Sequence, residues 1–92
     1  MTRWLDEIGP GWRPIVAWAI NEIEGLGGTI TQVKEKFGGL RIYYFSESNS
    51  DQIDKIVRKA EGICSICCEE CGRPGKLISD GGCMKTVCEE CK

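Results

Sequence analysis

The chain contains no histidine. That absence removes the side chain most often used for acid–base catalysis near neutral pH, and also the commonest neutral metal ligand. A closed tetrahedral metal site in this protein must therefore be built from thiolates alone. Long apolar runs are also missing. The longest, Ile15 to Ile20, falls far short of the ~20 residues needed to span a bilayer, so no membrane span is expected. No charged-then-apolar segment opens the sequence, and seven cysteines are an odd number, so a secreted disulfide scaffold is not expected either. A reduced, cytoplasmic setting is the expectation.

Charge of one sign is scarce as well. Twelve basic and fourteen acidic side chains give a formal net charge of −2. A Zn²⁺ held by four thiolates takes this to about −4, so the molecule as a whole does not attract a polyanion. No glycine-rich phosphate loop is present, because Gly25-Leu26-Gly27-Gly28 precedes a strand pattern rather than a helix. The carboxylates Asp6, Glu7, Glu22, Glu24, Asp51 and Asp54 fall on polar faces or near helix starts, where solvation or capping accounts for them. An enzyme is not expected.

What the sequence does have is concentrated at its end. Cys68-Glu69-Glu70-Cys71 and Cys88-Glu89-Glu90-Cys91 are two C-x-x-C pairs with sixteen residues between them. This is the spacing of a four-cysteine zinc site. Gly72 follows the first pair and eases the turn that aims backbone N–H groups at sulfur. One structural zinc per chain is expected on Cys68, Cys71, Cys88 and Cys91. Such a closed site leaves no coordination position for chemistry. A competing frame exists, because Cys64-Ser65-Ile66-Cys67 is also a C-x-x-C pair. Helical spacing instead puts Cys64 and Cys67 on an apolar stripe, where buried thiols act as small hydrophobes. Redox chemistry at these two is disfavoured by Glu69 and Glu70 nearby. Cys83 is left over, as a strand residue packing on the ribbon.

Hydrophobic residues at 41% and three tryptophans argue for a folded chain, and 92 residues for a single domain that a metal would help to stabilise. Thr2 is placed to cap a short helix bearing Trp4, Leu5 and Ile8, which Gly9-Pro10-Gly11 breaks. Pro14 suits the first position of a second helix, whose stripe is Val16, Ala19, Ile20, Ile23 and Leu26. Thr29–Phe37 and Leu40–Phe45 then read as a β-hairpin around Gly38-Gly39, with Phe37 opposite Leu40, Glu35 opposite Ile42 and Val33 opposite Tyr44. Thr31, Val33, Glu35, Phe37, Leu40, Ile42 and Tyr44 would share the core face. Ile30, Gln32, Lys34, Lys36, Arg41, Tyr43 and Phe45 would share the outer one. A third helix is expected from Asp51 to Cys67, capped by Asn49 with Gln52. Short strands at Lys76–Ser79 and Met84–Val87 follow, around a turn at Asp80-Gly81-Gly82.

The expected fold is α+β. Residues 1–67 form a helix-helix-hairpin-helix region and residues 68–92 a zinc ribbon docked on it, in one compact domain. Lys34, Lys36, Arg41 and Tyr43 are the candidate partner-binding residues. Cations with an aromatic neighbour suit nucleic acid, whereas the acidic net charge favours a protein partner, and a merely soluble sheet face explains them equally well. Trp4, Trp12 and Trp18 supply more aromatic mass than two short helices need. Trp18 lies beside the helical stripe, either covering the hairpin or facing a partner or a second copy of the chain.

The string Val33-Lys34-Glu35-Lys36-Phe37-Gly38-Gly39-Leu40-Arg41-Ile42-Tyr43-Tyr44, followed by Cys68-x-x-Cys71-Gly72-x-Pro74-Gly75 and a terminal C-x-x-C, resembles a group of small phage- and prophage-encoded proteins. These join a KEKFGGLR-aromatic hairpin to a C-terminal zinc ribbon. The likeness runs from about Gly11 onward, and this chain departs from it in its extra cysteines. The resemblance implies residence in a host cytoplasm and stoichiometric binding of a host protein or defence complex, as an inhibitor or modulator. It transfers no catalytic residue.

Overall fold

The computed structural model describes residues 2–91, the side chains of residues 2, 3, 80 and 83 excepted. It shows a small α+β protein. Helix α1 (Thr2–Leu5) and a 3-10 turn over Pro10–Trp12 lead into α2 (Arg13–Gly25). Strands β1 (Thr29–Lys36) and β2 (Gly39–Phe45) form a hairpin, α3 (Ser50–Cys64) follows, and β3 (Lys76–Asp80) pairs with β4 (Cys83–Val87). The proposed capping role of Thr2 and the packing of Cys83 lie outside the described side chains.

The main core is what helical and strand periodicity predict. Val16, Ala19, Ile20 and Ile23 from α2 and Ile53, Val57, Ala60 and Cys64 from α3 meet Val33, Leu40 and Ile42 from one hairpin face. Trp12 is fully buried in this cluster and Trp4 packs at its edge. A second, smaller cluster of Cys68, Val87 and Cys88 with Ile78 lies in the ribbon.

The hairpin departs from its expected register. Val33 faces Ile42, Glu35 faces Leu40 and Lys36 faces Gly39, so the two-residue turn is Phe37-Gly38 rather than Gly38-Gly39. Both turn residues have positive φ, 52° for Phe37 and 80° for Gly38, as a primed turn requires. The ribbon decides which glycine takes the second position. A Cβ at residue 38 would crowd Leu77 and the Lys85 amide, and the Gly38 carbonyl accepts a 2.6 Å hydrogen bond from Thr86 Oγ1. The Gly38 N–H donates to Glu35 Oε2 at 2.6 Å. Phe37 is thereby forced into a left-handed conformation that costs a bulky residue about 1–2 kcal/mol. Phe37→Gly is therefore expected to raise stability by about 1 kcal/mol, read as a later urea midpoint at unchanged slope.

Four further expectations are corrected. A bulge at Thr31 resets the alternation of β1, so Ile30 is buried opposite Tyr44 while Thr31 is exposed. Phe37, assigned to the core face, is 67% exposed at the turn. In α3, Asn49 makes no capping bond to the helix; its φ is 62° and its Nδ2 donates to the Leu26 carbonyl at 2.9 Å. That bond ties the start of α3 to the end of α2. The helix also stops at Cys64, three residues early, because Cys67 turns off to bridge Pro74 in the ribbon.

Three long-range contacts seat the ribbon on the rest of the chain. Trp12 Nε1 donates to the Cys67 carbonyl at 2.8 Å, the Gly11 N–H to the Glu69 carbonyl at 2.8 Å, and Thr86 Oγ1 to Gly38. Among the described residues no helix is long and apolar enough to cross a membrane.

Candidate metal centre

The first loop of the site begins where α3 has ended. The Cys68 N–H donates to the Arg73 carbonyl at 2.7 Å and the Gly72 N–H to the Cys68 carbonyl at 2.9 Å, closing a tight turn around Cys71. The second loop follows β4, with the Cys91 N–H donating to Cys88 at 3.2 Å. Between them the β3–β4 pairing brings residue 88 back beside residue 68.

The four Sγ atoms of Cys68, Cys71, Cys88 and Cys91 all lie within 4.8 Å of one another, and Cys71 and Cys88 are 3.6 Å apart. Zinc–sulfur bonds of about 2.3 Å in a tetrahedron place sulfurs about 3.8 Å apart. The cluster is therefore the right size to hold a metal ion on four sulfurs. It is the sole such cluster among the described residues.

Electrostatics favour the same use. Burial works against ionising Cys68, but backbone N–H groups of Cys88, Cys71 and Glu70 aimed at its sulfur outweigh this and bring its pKa down to about 6. Cys91 moves the other way, to about 12, because its thiol shares protons with Cys88 and Cys68. Four sulfurs this close cannot all ionise without a cation among them. Metal binding here must release protons, so its affinity falls as the solution is acidified.

The competing cysteine frame does not converge. Cys64 is fully buried in the helical core and its thiol is pushed up to about 12 by burial, then by Cys67 and Glu61. Cys67 is buried too, but not on the helical stripe. Its Sγ sits under the first loop, 3.4 Å from the Gly72 carbonyl and 3.7 Å from that of Gly11. Burial raises its pKa as well. Neither has the depressed pKa of a reactive thiol.

Glu69 was missed as a structural residue. Its place in a C-E-E-C string reads as solvated, yet it is only 8% exposed, and burial beside Glu35 and Glu70 raises its pKa. Its backbone explains the position: the N–H donates to Thr86 and the carbonyl accepts from Gly11. Glu69 is thus the residue through which the first loop is laced to both neighbours.

Lys34, Lys36, Arg41 and Tyr43 do share one face of the hairpin, pointing away from the helices. Lys34 lies opposite Arg41, and Gln32 opposite Tyr43. Lys34 Nζ is 5.8 Å from the centre of the Tyr43 ring. Tyr43 is 43% and Phe45 60% exposed. Trp18 does not cover the hairpin. It is 38% exposed in an apolar groove of about 370 Å³ between α2 and α3, lined by Pro14, Ile15, Lys59 and Ile63, with Lys59 Nζ 5.4 Å from its ring centre. No protein-family model matches the chain, and no curated protein or solved structure matches it.

Proposed function

We propose that this protein is a non-enzymatic binding module, in which a zinc-stapled ribbon holds the hairpin tip and the outer face of the hairpin engages a macromolecular partner. Zinc suits a closed set of four thiolates better than any redox metal, since nothing else in the chain serves electron transfer. One ion per chain, on Cys68, Cys71, Cys88 and Cys91, is scaffold rather than catalyst.

One observation carries the choice of surface. Lys34 and Arg41 are placed directly opposite each other, and among the described residues neither they nor Lys36 has an ion pair. Like charges in register destabilise a sheet. A partner that supplies the missing negative charge turns that cost into affinity. If the resemblance to phage-encoded proteins holds, the proposed partner is a host macromolecule, bound stoichiometrically.

A second reading has its own observation. The Trp18 groove exposes a tryptophan, a residue enriched in protein-binding hot spots, and favours a host protein that the chain inhibits or modulates. Site-specific cross-linking separates the two. A photo-reactive phenylalanine analogue in place of Tyr43 is expected to capture a partner in host extract, and Lys34→Glu with Arg41→Glu to abolish that capture. Capture only from position 18, unaffected by the charge reversals, would move the working surface to the groove.

A further inference from the structure

Resting on the hairpin face being the working surface, we infer that its partner is single-stranded nucleic acid. The outer side chains of the two strands are Thr29, Gln32, Lys34, Lys36, Arg41, Tyr43 and Phe45, with no carboxylate among them. The face is therefore locally cationic on a molecule whose formal charge is −2. Remote carboxylates are screened over about 8–10 Å at ordinary ionic strength, whereas cations touching a phosphate are not. The overall charge lowers the encounter rate but does not decide the contact.

The aromatic residues narrow the class of polyanion. Tyr43 and Phe45 lie two residues apart on one strand face, about 7 Å along the strand. Phe37 adds a third exposed ring at the tip, held there in a strained conformation, with Lys36 Nζ 5.7 Å from its centre. Rings flanked by cations on an open two-stranded surface form a stacking platform for bases. Stacked base pairs in a duplex offer such rings no open base surface, so the unpaired strand is the fitting ligand. An acidic peptide would satisfy the cations but leave three exposed rings without a counterpart.

Fluorescence anisotropy of the zinc-loaded full chain tests this. The probes are a labelled single strand of about twelve mixed nucleotides, in DNA and RNA forms, its blunt duplex, and a poly-glutamate peptide. The expected result is tighter binding of the single strand than of the duplex. Its affinity should fall with salt at a logarithmic slope of about −2, as three phosphate contacts at about −0.7 each require. Lys34→Ala or Arg41→Ala should each flatten that slope by about 0.7. Tyr43→Ala should weaken binding about ten-fold while Tyr43→Phe leaves it near the parent value. These side chains are largely solvent-facing, and one zinc per chain in each variant verifies folding.

Duplex bound as tightly as single strand, no effect of Tyr43→Ala, or no oligonucleotide binding at low salt would overturn the inference. If poly-glutamate binds instead and loses affinity with Lys34→Ala, the face is a binding surface but its partner is acidic protein. If Lys34→Ala and Arg41→Ala alter neither probe nor the cross-linked partner, the assignment of the face itself fails.

Discussion

Cys68→Ser is expected to take the zinc content of the purified protein from one ion per chain to none and to unfold the ribbon. Structural zinc contributes on the order of 10–16 kcal/mol in apparent terms to small thiolate modules, more than the whole stability of most domains of this size. The ribbon has little to replace it. Its own apolar cluster is Cys68, Val87 and Cys88 with Ile78, and two of those four are candidate ligands. Elemental analysis with amide exchange of β3 and β4 reads both effects, and a strong chelator should reproduce them in the parent protein. Cys64→Ser is the contrasting case. Its thiol belongs to the helical core, so stability should drop by ~1–2 kcal/mol with zinc content unchanged. Zinc retained by Cys68→Ser and lost by Cys64→Ser would reverse the ligand frame.

Gly11→Ala should be nearly as damaging, although residue 11 is not a candidate ligand. A Cβ there would overlap the carbonyl oxygen of Cys68 and the amide nitrogens of Gly72 and Cys71. All three are backbone atoms of the first metal loop and none can swing away. The Gly11 N–H also donates to Glu69. Prising the two segments apart should cost about 3 kcal/mol, combining overpacking with a lost buried hydrogen bond. For a chain of this size that lowers the melting temperature by about 15 °C. Gly62→Ala provides the control, because nothing lies within 4 Å of a Cβ at that helical position. It should stabilise by about 0.5–1 kcal/mol. Equal melting temperatures for the two variants would mean that the Gly11 seam is not close-packed.

Helical periodicity located both long helices, whose buried stripes follow the local pattern, and strand propensity around glycine turns located both hairpins. The C-x-x-C spacing likewise pointed to the four sulfurs that the structure gathers. What escaped prediction depends on contacts distant in sequence. The hairpin register turned on whether residue 38 or 39 meets the ribbon, a choice made by Leu77, Lys85 and Thr86 some forty residues away. Asn49 looked like a helix cap and bonds Leu26 instead. Cys67 fits a helical stripe in the sequence, yet the first metal loop pulls it out of the helix. Glu69 resembled surface charge because its backbone is held by Gly11 and Thr86, neither of them near it in the chain.

Trp12 has a consequence of its own. Its indole is wholly enclosed and its N–H ends on the carbonyl of Cys67, one residue before the first candidate ligand. Trp18, by contrast, already meets solvent. The protein therefore carries a built-in fluorophore at the joint between its two cores, and its emission is expected to change as metal is loaded, a change that Trp12→Phe should remove.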